Sequence, residues 1–469
     1  MGGHRKSILR AFLGATALAL AIMWMAPEVT AQDTQPPLGP NQLLDLIKTK
    51  GKYAFAAAAA DIAAAQARLE GVWSNLRPSL TGSVSAKRFE SKKTPETRKT
   101  DVFSKLELVQ PIFDFGVTFS RIDAAESDVA AAEERLRVAH NIVLLEGLAV
   151  FFDLHSSELH MHSVNQAFTQ AYVRWERSKE QLALGRTDAV DVSERLALVE
   201  TSRHTYYRER SRNGSLRLRL EDLTGVAFTG ELIDSPKPPA NRPKNVNTEK
   251  LIALAEKRNP EIKALAKRAE ALAFRRDGTN IRPRIEAFGN VGNSTRESRG
   301  RDNYAIGARL TFPFYDGGVK DAERARLNAE HSRVVAELEV RKRKLRRQIR
   351  TALLDRSDSW QQIIAAKAQL DMAGRQLTKR QLLYDQERVA DLGTGMINFS
   401  KTESDLVRAT GAFYMDNARL AALIGEEPSR GLVENFLVDI LGPGGTPDDQ
   451  QYTPKEGSGF GQEDQNKIN

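Results

Sequence analysis

The only histidine cluster of the sequence is the first place where metal chemistry could be expected. His155, His160 and His162 lie in one helical pattern, and residues 155 and 162 share a helix face. A zinc site needs a third ligand and side chains that orient the ligands by hydrogen bonds, and the surrounding helical seam supplies neither. The pattern therefore favours partnered or solvated histidines over a metal site.

Residues for covalent or acid–base catalysis show no recognisable arrangement. The sequence has no cysteine, which excludes a disulfide, a thiolate metal site, a cysteine nucleophile and a lipidated cysteine. No Ser, His and Asp spacing stands out, and the acidic residues are dispersed along helix surfaces. The sequence also lacks a Gly-x-x-x-x-Gly-Lys-Ser/Thr phosphate loop. We expect no enzyme activity and no cofactor.

The N-terminus has the pattern of a secretory signal peptide. Basic residues between positions 5 and 10 precede an apolar stretch at 11–26, and a small-residue cleavage site follows at 29–31. A retained anchor is the alternative, although the stretch is short for the roughly 20 apolar residues that a membrane span needs. We expect residues 1–31 to be removed on export.

A basic run from Arg341 to Arg347 is the segment that could bind nucleic acid, in a chain of formal net charge +8. No aromatic residue interleaves with the run, and it lies inside a long helical pattern, where charge normally marks a solvated face. The signal peptide also directs the chain out of the cytosol. We therefore expect no nucleic-acid partner.

The chain contains the same unit twice. The segment LVQPIFDFG at 108–116 recurs as LTFPFYDGG at 310–318, so that Pro111 and Pro313 lie 202 positions apart. Further landmarks recur at nearly this spacing: Arg77-Pro78 with Arg282-Pro283, Gly185 with Gly393, and Leu223-Thr224-Gly225 with Leu423-Ile424-Gly425. Four landmarks in one order indicate a duplication.

Each copy has the same order of predicted elements. A helix at about 42–73 or 248–275 precedes two strands of alternating apolar and polar residues. After a Pro-Φ-Φ-Asp-x-Gly junction, where Φ is apolar, a coiled-coil pattern runs for about 65 to 75 residues, on the order of 100 Å. A second helix of about 35 residues follows. The predicted division is a signal peptide at 1–31, a first repeat at 32–232, a proline-rich linker at 233–247, a second repeat at 248–430 and a C-terminal tail at 431–469, disordered from about 442.

The four predicted strands have the length and alternation of membrane-spanning strands. Roughly ten residues suffice for a tilted strand, and lipid does not tolerate the open edges of a four-stranded sheet. The chain must therefore assemble with copies of itself or with another protein. Because a basic side chain at mid-bilayer costs roughly 2–4 kcal/mol on the lipid face, we expect Lys87, Lys105 and Arg309 to face a polar lumen. A soluble sheet with one wet face is the alternative.

The duplicated order of strand pair, junction, long helix, Gly-centred turn and return helix resembles the TolC-type outer membrane efflux and secretion channel family, over about residues 40–430. The resemblance implies an α+β membrane protein with two transmembrane strands and one long coiled-coil hairpin in each repeat. It implies a homotrimer in outer-membrane lipid, with a 12-stranded β-barrel continued by a periplasmic α-helical barrel. The implied partners are a periplasmic membrane-fusion adaptor and an inner-membrane pump or ABC exporter.

The function implied by this resemblance is a passive exit duct of a tripartite efflux pump or type I secretion system, located in the outer membrane with a periplasmic helical domain. The alternative is a periplasmic coiled-coil scaffold or adaptor without a pore. Adaptors usually carry one helical hairpin beside a compact β-domain, whereas this chain has two strand pairs and two hairpins.

The resemblance also assigns roles to the two predicted hairpin tips. The tips match the places where family members dock the adaptor, and a plain helix-breaking turn is the alternative. The adaptor-docking residues are then Gly185, Arg186, Thr187, Gly393 and Thr394.

Just past each tip, family members commonly place aspartates that narrow the periplasmic entrance. The first repeat has Asp188 and Asp191 there, whereas the second has Ile397-Asn398-Phe399 and no acidic residue. We therefore expect Asn398 or Phe399 to narrow the entrance in the second repeat, together with the two aspartates of the first.

Overall fold

The computed structural model describes residues 38–88, 100–227, 237–244, 246–294, 304–386 and 391–441. The predicted signal peptide, most of both loops that join the strand pairs, and the tail from 442 lie outside these residues.

The two repeats fold into the same series of elements. The first contains helices α1 (Pro40–Lys50) and α2 (Lys52–Ser74), strands β1 (Ser79–Arg88) and β2 (Thr100–Phe113), and helices α3 (Val117–Ala183) and α4 (Ala189–Thr224). The second contains α5 (Thr248–Arg258), α6 (Pro260–Asp277), β3 (Arg284–Ser294), β4 (Tyr304–Thr311), α7 (Val319–Asp385) and α8 (Leu392–Ile424). A 3-10 helix (Pro428–Leu432) and α9 (Phe436–Leu441) follow. The long helices α3 and α7 have 67 residues each.

The first helix of each repeat is broken in two, which the prediction of single helices at 42–73 and 248–275 missed. At Gly51 a Cβ atom would lie 2.5 Å from the carbonyl oxygens of Ile47 and Leu223, so only glycine fits against the end of α4. At Asn259 the side chain accepts hydrogen bonds from two amides at the start of α6, and its Nδ2 donates to the Leu423 carbonyl of α8. Both breaks therefore lie where the chain meets the end of a return helix.

The junction motif is explained by helix capping. The carboxylate of Asp114 accepts hydrogen bonds from the amides of Gly116 and Thr118, and Asp316 does the same for Gly318 and Lys320. The glycine directly before each long helix has a positive φ, 87° at Gly116 and 83° at Gly318, which favours glycine. The aspartate and glycine together turn the chain from strand to helix.

The strands form one antiparallel sheet in the order β1-β2-β3-β4. Pro111 lies inside β2 rather than at its end, and the register to β3 shifts between Pro111 and Phe113, because proline has no amide for the ladder. Pro313 lies beyond the end of β4. Within the described residues β1 and β4 are edge strands that pair on one side only.

The helices extend the sheet order into two tiers. Next to the strands, α2 packs on α3, α3 on α6 and α6 on α7. Farther from the strands the order of packed helices is α4, α3, α8, α7. The long helices α3 and α7 continue through both tiers, whereas the return helices α4 and α8 take the places of the shorter helices α2 and α6. A core of α1, α3, α4, α7 and α8 residues, including Leu148, Phe151 and Phe413, joins the repeats where the tiers meet. By length and composition, helix α3 contains a segment that is apolar enough to cross a membrane. Leu148 and Phe151 of this helix are fully buried in the protein core, as in the core helix of a folded domain.

Arginines of the basic run pair within the protein. Arg341 forms an ion pair with Glu261 of α6, and Arg346 contacts Glu256 of α5 at 2.5 Å. One turn beyond the run, Arg350 contacts Glu249 at 3.0 Å. These pairs attach α5 and α6 to the side of α7, which gives the basic segment a structural role.

Candidate functional site

The sheet has one apolar face that no other element of the described residues covers. Nearly all large apolar side chains on this face are exposed, and Ile306 at 88% is the extreme case, whereas Ile285 is half-buried. The pairing register places them on the same side of neighbouring strands: Leu80, Val84, Val102, Leu106, Leu108, Val291, Tyr304, Ile306 and Leu310. An uncovered apolar face of this extent indicates contact with an apolar phase or partner.

The opposite face of the sheet is polar and is joined by ion pairs. Lys105 contacts Glu107 at 2.8 Å, and Glu286 accepts from Arg309 at 3.1 Å on the neighbouring strand. Lys87 is exposed and occupies this face near the far end of β1. The three basic residues singled out from the sequence therefore share one face, opposite the apolar one.

Exposed aromatic side chains gather where the strands become helices. Phe314 and Tyr315, which follow β4, are 87% and 86% exposed, and Phe113, Phe115 and Phe119 are exposed at the end of β2 and the start of α3. At the other end of the same sheet, Tyr304 begins β4 on the apolar face. Aromatic rings at both ends of an apolar band are typical of the two interfaces of a bilayer.

The tip between α3 and α4 is a tight glycine turn. Gly185 has a φ of 68°, its amide donates to the Leu182 carbonyl, and the Arg186 amide donates to the Gln181 carbonyl. This pair of hydrogen bonds is the Schellman ending of a helix. Gly185 and Arg186 are exposed, as is Leu184 at 67%, so the tip presents both polar and apolar groups.

Past this tip, two aspartates start α4. Asp188 caps the helix by accepting from the Asp191 amide at 2.8 Å, and Asp191 accepts from the Thr187 hydroxyl at 2.6 Å. Both aspartates are exposed. Their carboxylates carry local capping bonds and remain accessible to solvent.

The prediction that Gly393 forms the second tip is wrong. Gly393 and Thr394 lie in the first turn of α8, and the connection from α7 comes before them. A Cβ at Gly393 would lie 2.4 Å from Nε2 of Gln170 on α3. Gly393 therefore lies at the contact between the two hairpins, against the movable end of the Gln170 side chain, rather than in a turn.

The expected lack of an acidic residue at the second tip is also wrong. Asp391 is the N-cap of α8 and accepts from the Thr394 amide at 3.2 Å, in the same role as Asp188 in the first repeat. The separation of Asp188 and Asp391 is 203 positions, close to the 202 between the junction prolines. Pairing Gly185 with Gly393 implies a separation of 208 positions, which places the second tip five residues too far along the chain.

Asp391 also connects the two hairpins. Its carboxylate accepts hydrogen bonds from Gln170 at 2.8 Å and from Arg174 at 2.5 Å, both on α3. Burial opposes its ionisation, but the hydrogen bonds from Thr394 and Arg174 outweigh burial and lower the pKa of Asp391 to about 2. The sequence signal for this residue was the repeat offset combined with the Asp-x-x-Thr capping pattern.

The two other residues predicted at the entrance lie in the second turn of α8. Asn398 is exposed, and Phe399 is half-buried beside Gly374 of α7. They lie more than one helical turn beyond Asp391, so they do not correspond to Asp188 and Asp191.

The histidines form no metal site. His155 lies next to Phe151, where burial lowers its pKa, and His162 is exposed. Throughout the described part of the chain, no group of three His, Cys, Asp or Glu side chains is placed to hold a metal ion.

Comparisons with known proteins agree with this architecture. A sequence model of the family described as "Outer membrane efflux protein" matches residues 51–226. Among solved structures, the Campylobacter jejuni CmeC outer membrane channel has a TM-score of 0.68 and 17% identity, covering 86% of this chain and 88% of that one.

Two further solved structures have the same fold. The outer membrane protein VceC of Vibrio cholerae has a TM-score of 0.61 and 18% identity, covering 82% of this chain and 97% of that one. The open state of the Neisseria gonorrhoeae MtrE outer membrane channel has a TM-score of 0.59 and 16% identity, covering 84% and 90%. No curated protein sequence matches significantly. The predicted fold class is confirmed.

Proposed function

We propose that this chain is a passive exit duct. Its fold is that of the outer membrane efflux proteins, and its first repeat matches their sequence model. The observation that carries the proposal is a sheet with one uncovered apolar face and two free edges, continued by helices in the same order. The duct would stand in the outer membrane, with its helices in the periplasm.

The free edges support a homotrimer. A four-stranded sheet cannot close on itself, and each free strand edge exposes unpaired backbone groups that lipid does not tolerate. The helical tier has free edges too, at α4 and α7. Pairing β4 of one copy with β1 of the next, three times, would give a 12-stranded barrel and close both tiers together.

The two faces of the sheet support a water-filled lumen. In such a barrel the apolar face meets lipid, and the aromatic residues after β2 and β4 lie at the periplasmic interface. Lys87, Lys105 and Arg309 then face the lumen, where their charges remain hydrated.

A passive duct requires partners that supply energy, because the sequence has no phosphate loop. We propose that a periplasmic membrane-fusion adaptor docks at the first hairpin tip, with exposed Gly185 and Arg186 and adjacent Thr187. An inner-membrane pump or ABC exporter would drive transport through the adaptor. Gly393 and Thr394 would instead support docking indirectly, because they pack against α3.

We further propose that Asp188 and Asp191 narrow the periplasmic entrance, since they are exposed beside the first tip. Asn398 is exposed on α8 and could join them, whereas Phe399 packs towards α7. An entrance of this kind exists only once three copies assemble.

Membrane fractionation tests the proposal against a periplasmic scaffold. A duct should resist extraction by carbonate and migrate as a heat-modifiable oligomer of three chains. A chain that is released by carbonate and runs as a monomer would contradict the duct. Adaptor docking is tested separately by cross-linking from position 186, with position 375 on α7 as the control.

A further inference from the structure

A recess of about 600 Å³ spans the four connections between strands and helices. Its lining includes the ends of α2 and α6, the start of α3 and the start of α7. The polar-face side chains of Glu286 and Arg309 also line it. This places the recess on the face that the proposed function assigns to the lumen.

The charged lining of the recess is mainly basic. Two acidic side chains, Asp114 and Glu286, contribute to it. Five basic side chains do so: Arg121, Arg282, Arg284, Arg309 and Lys320. The recess therefore has a net excess of three positive charges in each chain.

The acidic groups of the recess are already engaged. Glu286 is shared by Arg284 at 2.5 Å and Arg309 at 3.1 Å, and the Asp114 carboxylate accepts two backbone amides of the α3 start. Arg282 donates to the backbone carbonyl of Phe115, which holds it in place without neutralising it.

Besides Arg282, two further cations of the recess have no acidic partner among the described residues. In the part of the chain that the structure describes, neither Arg121 nor Lys320 forms an ion pair. Arg121 is exposed near the start of α3, and Lys320 is half-buried in the first turn of α7. Fixed charges of one sign in a recess with low-dielectric walls raise the local concentration of counter-ions.

We infer that this recess forms an anion-attracting ring at the level where the barrel joins the helical tunnel, so that the duct favours anions and negatively charged cargo. The inference rests on the proposed trimeric duct. Three copies would place three recesses around one lumen, and an ion in transit would pass all of them. Rings of basic side chains are a known source of anion preference in pores.

The test is the reversal potential of purified channels in a planar bilayer under a KCl gradient. The wild type should prefer Cl⁻ over K⁺, and the double variant Arg121→Gln with Lys320→Gln should lower the permeability ratio by about twofold or more. The preference should weaken near 1 M salt, where the Debye length is about 3 Å. Both side chains are accessible, so the variants should retain the fold.

The matched control is Arg203→Gln with Arg375→Gln, which removes the same charge from half-buried Arg203 on α4 and exposed Arg375 on α7, far from the recess. It should leave the permeability ratio unchanged. Channels that prefer K⁺, or a Cl⁻ preference that survives the double variant, would overturn the anion ring but leave the duct intact. An unchanged ratio with altered binding to anionic lipid vesicles would place the recess at lipid headgroups and likewise overturn it. Failure of the wild type to conduct would overturn both proposals.

Discussion

Placing a charge on the apolar face of the sheet should destabilise the assembled protein in lipid, and only on that face. Ile306 is suited to this test because it is 88% exposed and pairs with Gly289 at the middle of β3. We predict that Ile306→Arg is strongly destabilising. The matched control, Ala305→Arg, changes the adjacent residue at nearly the same depth but on the polar face.

The expected magnitude follows from the cost of arginine on the lipid face of a barrel. That cost is roughly 2–4 kcal/mol at mid-bilayer and about 0–1 kcal/mol near the interfaces. Because Ile306 makes little contact within its own chain, lost packing contributes little to the change. Three copies would raise the total to roughly 6–12 kcal/mol for each trimer, whereas Ala305→Arg should cost about 1 kcal/mol or less in each chain.

Urea unfolding of protein in phosphocholine vesicles measures both variants under one condition. The midpoint of Ile306→Arg should fall clearly below that of the wild type, and that of Ala305→Arg should remain close to it. Equal effects of the two variants would refute the assignment of faces. A harmless Ile306→Arg combined with a damaging Ala305→Arg would show that the barrel is inverted.

Three further changes test the helical region. Gly431→Ala should destabilise the fold by about 1–3 kcal/mol, because its Cβ would lie 2.3 Å from the Ala418 amide nitrogen; thermal unfolding followed by circular dichroism would show it, and an unchanged midpoint would contradict it. A Cβ at Gly214 on α4 would contact nothing among the described residues, so Gly214→Ala should raise the free energy of unfolding by about 0.5–1 kcal/mol. A loss of stability in the same assay would contradict the open surroundings of this residue. Asp391→Asn should cost about 1 kcal/mol at neutral pH, a value reduced for solvent screening. The pKa of Asp391 is about 2 in the folded protein, below its unfolded value, so this stabilisation is complete above about pH 4 and is lost as the pH falls through 2. A difference in urea midpoint between Asp391→Asn and the wild type that persists at pH 2 would contradict this explanation. So would an Arg174→Gln variant with a wild-type midpoint at pH 7.

The strands and long helices could be predicted because their signals are local. Alternating side chains in β1 to β4 specify a sheet with two unlike faces. Of the apolar residues spaced three and four apart after Gly116, Ile122, Ala125 and Ala132 are buried and the next ones are half-buried, as a coiled-coil seam predicts. The junction motif was also informative, because an Asp cap followed by glycine acts within a few residues.

The errors occurred where distant parts of the chain decide local structure. Gly51 breaks a helix because the end of α4 lies against it, and Gly393 lies in contact with Gln170 of α3 rather than in a turn. Ion pairs between distant residues could not be predicted for the same reason. Nothing in the run at 341–347 indicates that Arg341 and Arg346 pair with glutamates about 80 to 90 residues away.

In the proposed assembly, three copies of this chain form one water-filled duct through a membrane. Conductance of the purified mature chain in a planar lipid bilayer tests it most directly, with the oligomeric state measured in the same detergent preparation. A trimeric duct should give discrete single-channel steps. A soluble monomer that never conducts would contradict the barrel and favour a periplasmic scaffold.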